Sequence, residues 1–426
     1  MTTLIKNVTV IPMTRKEYFF KGDILIKDEK IAYAGPASDL TADEVKDMTG
    51  FIAIPGFVNA HTHLAMTLMR NYKDSQSNLQ EWLSEIFPIE DKLTDEDIYA
   101  GDLTGLVEMI KSGTTCFADM YFSQWKTAEA VKKAGIRSVL GLTFFGDEKE
   151  SERRIREIYP RILEAAGDDP LIRIDAAPHA IYTCTGSTYQ TAAEFAKSHG
   201  GYVNTHLSET SKEVEDCIAE YGMRPVEYLD ELGIFSSPCY LAHGVHFDDS
   251  ELGILRKHGV SVVHNPSSNC KLASGICDIR HYREMGVNVC LGTDGASSNN
   301  NLSMVKEMRL AAMLATISTM KPASTTPYEI LEMATVNGAR ALGLDDRIGT
   351  IEEGKDADIL LINAANASMT PLNNIFSAIV FSMPEEAVDT LYCRGRLLMQ
   401  GRKLMTLDEN EIIRDANEKW DALLKR

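Results

Sequence analysis

Between residue 50 and about residue 340, short continuous apolar runs alternate with longer segments whose apolar positions recur every three or four residues. The short runs are FIAIPGFVNAH, TTCFADM, RSVLGLTF, LIRIDAAPH, GYVNTHLSE, CYLAHGVHF, VSVVHNP and VNVCLGTDG. Continuous rather than alternating hydrophobicity predicts parallel strands covered on both faces. Between them, SQWKTAEAVKKAG predicts a helix stopped by Gly135, and SKEVEDCIAEYGMRPVEYLDELG predicts one that runs to Gly233. Eight strands alternating with helices predict a (β/α)8 barrel, a fold of ~250 residues. An open doubly wound sheet is the alternative, but no G-x-G-x-x-G follows the first strand.

The two ends of the chain have a different texture. TLIKNVTVIP and GDILIKDEKIAYAGP near the start, and IGTIEEGKDADILLIN and AVDTLYCRGRLLMQG near the end, read as short strands with turns. The expected organisation is a small β-sandwich built from both ends, residues 1–54 and 347–426, around a barrel at 55–346. The last segment, DENEIIRDANEKWDALLKR, predicts an amphipathic helix packed on its own chain.

Polar residues collect where the apolar runs stop. His61 and His63 close the first run, and positions i and i+2 of a strand face the same way, with Thr62 turned aside. Further runs end in His179, in His206 with Glu209, in His243 and His246, in His264 and in Asp294. Seven of the ten histidines therefore fall on one predicted rim, the C-terminal face where barrels carry their chemistry. The other three, His199, His258 and His281, lie in predicted helices.

Neutral imidazoles with one carboxylate suit Zn²⁺, with Fe²⁺ or Mn²⁺ as less favoured occupants. The expected ligands are His61, His63, His206 and Asp294, one ion per chain, with a position left for water. A divalent ion lowers the pKa of bound water from ~15.7 to about 7. Glu209, three residues past His206, is the expected proton carrier, although an acid at this position also suits the start of the next helix. His243 is expected beside the metal as a group that orients water and steadies developing charge. His246 is read as structural, and His264 as part of the HNPSSN turn.

Composition removes several function classes. The chain has 426 residues, 44% of them apolar, and a formal charge of −19, the wrong sign for a nucleic-acid surface. No run approaches the ~20 apolar residues of a membrane helix. MTTLIKNVTV has no basic region leading into a long apolar one, so no signal peptide is expected. Eight cysteines without a C-x-x-C pair predict reduced, buried thiols and a cytoplasmic protein. Nothing in the pattern decides against a homo-oligomer.

The motifs PGFVNAHTH, THLSE, AHGVH, HNPSSNCKL, GTDGASSNN and GTIEEGKDADILLI occur in order over nearly the whole chain. In them the sequence resembles the amidohydrolase superfamily. Two-metal members carry a carbamylated lysine at the end of strand 4. LIRIDAAPHAIY has none, so the resemblance implies the one-metal subtype. Within the superfamily the chain is most similar to the 5-methylthioadenosine/S-adenosylhomocysteine deaminases. That likeness implies a nucleoside substrate, with Trp82 lining the pocket, Glu90 accepting the ribose hydroxyls, and His179 and Ser298 touching the nucleoside. Arg154 would reach the 5′ substituent, whereas Leu142 stands where these enzymes carry a second arginine, which favours an uncharged 5′ group. The implied reaction is hydrolytic deamination at C6, with Glu209 carrying protons and His243 and Asp294 holding the attacking water. The other zinc-deaminase design needs P-C-x-x-C, and Pro238–Cys239 lacks the second cysteine. Rival expectations are guanine or pterin deamination, triazine hydrolysis, or a non-catalytic scaffold protein on the same fold.

Overall fold

The structure is a computed structural model that describes residues 1–74 and 79–426. Eight parallel strands form the barrel: β1 (Phe57–Thr62), β2 (Thr114–Met120), β3 (Arg137–Phe144), β4 (Ile172–Pro178), β5 (Val203–Leu207), β6 (Cys239–His243), β7 (Ser261–His264) and β8 (Asn288–Leu291). Each pairs with its successor. Strands β2 and β3 are buried at every position, as continuous apolar runs covered on both faces must be.

Among the described residues no strand ladder joins β8 back to β1. The gap is closed by the Asn59 side chain, whose amide donates to Thr293 Oγ1 at 2.7 Å while its carbonyl accepts the Thr293 N–H at 3.0 Å. The Asp294 N–H donates to the His61 carbonyl at 3.0 Å. Asn59 thus copies the donor–acceptor pair of a backbone group across the gap.

The sequence expectation differs from the structure at two points. FIAIPGFVNAH is two strands, not one: Phe51–Pro55 pairs with Ile359–Asn363 outside the barrel, and β1 begins after Gly56. A Cβ on Gly56 would stand 2.2 Å from Thr115 Cγ2, so the chain can cross between the two sheets only at glycine. The long helix expected up to Gly233 is also two, Ser211–Tyr221 and Pro225–Glu231. Gly222, at φ 71°, ends the first, and Pro225 opens the second.

Both chain ends contribute to one nine-stranded mixed sheet. It wraps around its own core of Ile5, Val8, Ile24, Ile31, Ile359, Leu361 and Tyr392. The helix Glu409–Leu423 starts at Asp408, which accepts two backbone N–H groups. It returns to the barrel side, where Glu409 meets Lys111 at 2.7 Å and Trp420 packs edge-on against Tyr72.

Arg137, at the start of β3, links barrel to terminal sheet. Its buried guanidinium lies 2.8 Å from Asp356 and 3.2 Å from Asp358, both buried. Arg137→Met strips Asp358 of its side-chain counter-charge in a water-poor interior. The expected loss is about 3–5 kcal/mol of stability, read as a lower unfolding midpoint. A midpoint unchanged from the parent protein would show that this link is dispensable.

Candidate metal and active site

Four donor atoms converge at the C-terminal rim of the barrel. His206 Nε2 lies 3.1 Å from the Nε2 atoms of both His61 and His63. Asp294 Oδ1 lies 3.2 Å from His63 Nε2 and 3.7 Å from His61 Nε2. These four side chains form a metal-competent group among the described residues. Donors held ~2.0–2.1 Å from a tetrahedral ion stand roughly 3.3–3.4 Å apart, close to the spacing here.

The hydrogen bonds behind the rings fix which nitrogen faces inward. His206 Nδ1 donates to the His179 carbonyl at 2.7 Å, and His63 Nδ1 to the Met120 carbonyl at 2.5 Å. Both Nε2 atoms therefore face the centre, the arrangement that ligating imidazoles use. Burial pushes the pKa values of His61 and His206 well down, so these rings are neutral. Burial opposes charge on His63 too, but its contact with Asp294 outweighs burial and lifts it to about 9. One proton settles the His63–Asp294 pair alone, whereas a divalent cation settles all four donors and displaces that proton.

Asp294 is held in place from several sides. Its carboxylate accepts Ser268 Oγ at 2.6 Å, Ser298 Oγ at 3.1 Å and the Gly295 N–H at 2.8 Å. Asp294 and His243 both sit at positive φ, 60° and 72°, strain of the kind that collects at functional sites. His243 Nδ1 donates to Asn269 Oδ1 at 2.8 Å, which points Nε2 between Glu209 Oε2 at 3.8 Å and Asp294 Oδ2 at 3.9 Å. Burial raises the pKa of Glu209, which makes it a group able to carry a proton.

Above this centre lies a cavity whose empty space, the solvent at its open mouth included, is about 670 Å³. Trp82, Glu90, His179 and Ser298 line it together with His63, His206, Glu209, His243 and Asp294. Trp82 and Glu90 come from the helix Leu79–Glu90, and Glu90 Oε1 accepts the Tyr121 hydroxyl at 2.5 Å. His179 is steadied by Thr183 at 2.9 Å. His264 is buried away from this cavity, with no partner for either ring nitrogen among the described residues.

Two expectations about the 5′ end need correction. Arg154 does not reach this cavity: it lines a neighbouring one, bonded to Glu150 at 2.8 Å and to the Thr143 carbonyl at 3.0 Å, beside the Phe145 ring. Phe145, stacked on Phe122 at 5.8 Å, stands among the residues of the main cavity. Leu142 does not face the cavity either. On β3 the residues that line cavities are Gly141 and Thr143, and Leu142 points the opposite way, into the apolar layer between strands and helices. Leu142→Arg would bury a charge there rather than offer one to a substrate.

Several residues of the site carried no clear signal in the sequence. Tyr121, Phe122, Phe145 and Tyr182 line the cavity from loops or from just beyond strand ends. Ser268 and Asn269 lie inside HNPSSN, where the polar run directly after a strand end was the available hint.

Comparison with known proteins agrees with this geometry. A 5′-deoxyadenosine deaminase from Methanobrevibacter smithii is 42% identical over 99% of this chain and 98% of its own length. A 5-methylthioadenosine/S-adenosylhomocysteine deaminase from Desulforudis audaxviator is 42% identical over the full length of both chains. Among solved structures, an adenosine deaminase from Xanthomonas campestris with bound zinc superposes with a TM-score of 0.95 at 31% identity, over 100% of this chain and 99% of that one. The sequence model of the amidohydrolase family matches residues 52–398. With that match and relatives above 40% identity from end to end, this chain belongs to the amidohydrolase family.

Proposed function

We propose that this protein hydrolyses the exocyclic amino group of an adenine nucleoside, giving the inosine analogue and ammonia. One observation carries the reading: one cavity joins His63, His206 and Asp294 of the metal-competent group, and the buried Glu209, to a second buried carboxylate, Glu90. The first set suits attack on a ring carbon and the second suits a diol. His61, His63, His206 and Asp294 would hold one divalent ion, zinc in this reading, which supplies Lewis acidity and lowers the pKa of water to about 7. Names of the relatives support the substrate class. Eight cysteines free of disulfides, seven of them buried, support a reducing, cytoplasmic setting.

The protein's own groups divide the work. Glu209 takes one proton from the water that attacks C6 and gives it to ring N1, then takes the remaining proton of the new C6 hydroxyl and gives it to the amino group, which leaves as ammonia as the C6–N bond breaks. Water adds across C6, ammonia leaves, and Glu209 ends as it began. Burial opposes charge on His243, but the charges of Glu209 and Asp294 outweigh it and raise its pKa, which suits its Nε2 to donate to the oxygen that gains charge. Trp82, Phe145 and Tyr182 give the base and the 5′ end apolar walls that exclude water.

Glu90 gives the first specificity test. With Tyr121 on Oε1, the other lone pairs of the carboxylate remain for ribose hydroxyls. A 2′-deoxynucleoside leaves that buried acceptor short of a partner, at about 1–3 kcal/mol, or roughly 5- to 150-fold in kcat/KM. Equal rates for ribo- and deoxynucleosides would remove this role from Glu90.

The second test concerns the 5′ end. Arg154 is engaged elsewhere and the wall beside it is aromatic, so 5′-deoxyadenosine, methylthioadenosine or adenosine should have higher kcat/KM than S-adenosylhomocysteine. Ammonia release from a nucleoside panel, run as competition assays, measures this. S-adenosylhomocysteine as the best substrate would refute the reading of the wall, and guanine deaminated with every adenine nucleoside ignored would refute the proposed function itself.

A further inference from the structure

The polar contacts around Glu209 divide its two carboxyl oxygens. Oε1 accepts the Ser274 hydroxyl at 3.0 Å, while Oε2 faces His243 Nε2. Its backbone is clamped separately: the N–H groups of Ser208 and Glu209 donate to the two carboxyl oxygens of Glu213 at 3.0 and 2.9 Å. Ser208 itself is held in the left-handed region, at φ 51°.

His246 ties these pieces together. Its backbone N–H, with that of Val245, donates to the Ser208 carbonyl at 3.1 and 3.0 Å. Its ring Nε2 meets the Ser274 carbonyl at 2.7 Å, and Arg224 secures the His246 carbonyl at 2.6 Å. The next residue, Gly275, lies at φ 131°, and a Cβ there would stand 2.9 Å from Val245 Cγ1 and 3.5 Å from the His246 ring. The loop can rest on His246 only because position 275 is glycine. The Ser274 N–H also donates to the Asn269 carbonyl at 2.9 Å, and Asn269 is the residue whose side chain orients His243.

We propose that Ser274, seated by His246, is a positioning residue for the proton carrier: it caps Oε1 so that Oε2 alone exchanges protons with water and substrate. A carboxyl with two equivalent oxygens can rotate between them, whereas one with Oε1 capped presents the same oxygen in every turnover. His246 then acts at one remove, through the Ser274 carbonyl, and the two histidines of AHGVH have separate duties. His243 faces the reacting atoms and His246 shapes the loop behind Glu209.

This inference rests on Glu209 being the proton carrier. The test is a double-mutant cycle, run on the metal-loaded full chain with the best nucleoside from the panel. Ser274→Ala should lower kcat roughly 10- to 100-fold, the usual worth of a partner that orients a catalytic group, with KM within about twofold and metal content and unfolding midpoint unchanged. In the Glu209→Gln background the same change should cost nothing further, because no proton-carrying oxygen remains to be selected. His246→Gln, which keeps an N–H donor for the Ser274 carbonyl, should retain more activity than His246→Leu. An undiminished kcat for Ser274→Ala, or an equal loss with and without Glu209, overturns the inference. If Glu209→Gln itself keeps full activity, the reading of Glu209 fails instead, and the two failures are told apart by that parent variant.

Discussion

Glu209→Gln should bind metal like the parent protein and turn over about 10²–10⁴ times more slowly, the usual worth of a positioned acid–base group. Glutamine fills the same volume and can still accept the Ser274 hydroxyl, but it cannot take a proton from water and return it to the base. The side chain is buried, so solvent cannot substitute for it freely. Single-turnover ammonia release and metal analysis on the same sample make the check. Near-normal turnover would reduce Glu209 to an acid at the start of the following helix, and loss of the metal would mean that the residue supports the ligand set rather than the chemistry.

Removing the metal should abolish deamination, and restoring one divalent ion per chain should bring it back. Four donors within 4.8 Å of one another are enough for one ion. At the end of β4, where a second ion would need its bridging lysine, the chain carries Pro178 and His179. Elemental analysis returning two ions per chain, or activity that survives complete chelation, would contradict this. A readout independent of activity is available too. An ion that binds only the folded chain adds about 4 kcal/mol of stability at a thousandfold excess over its Kd, so the stripped protein should unfold at a lower temperature.

Much of this site is legible in the sequence, for a physical reason. Parallel strands covered on both faces demand apolar residues, so a histidine or aspartate at the end of such a run stands out against its own background. The positions of His61, His63, His206 and Asp294 were legible on those grounds. Parity within a fully buried strand is not legible in the same way. Leu142 and Thr143 are neighbours in a strand buried at every position, and nothing in the composition of that strand says which of the two faces the cavity. The place of Arg154, expected from the family likeness alone, is set by Glu150 on the preceding helical turn, which claims its guanidinium. Ser274 and Phe145 were out of reach because each owes its position to segments distant in sequence, His246 in one case and Phe122 in the other. The joint at Gly56 is not legible because strands of two sheets follow each other with one residue between them.

A ring of strands made from a single chain must be tied off somewhere, and this one is tied off at its chemistry. The tie joins Asn59 to Thr293, 234 residues apart, and the ligands His61 and Asp294 follow them two residues and one residue further on. A chain halted before residue 293 would already own three of the four donors, yet it would have two open strand edges and no enclosed centre. Contacts of such long range are slow to form, because the intervening chain must be ordered first. Completing the ring and assembling the ligand set are therefore one event, and activity during refolding should rise with the last long-range contacts rather than with the bulk of the secondary structure.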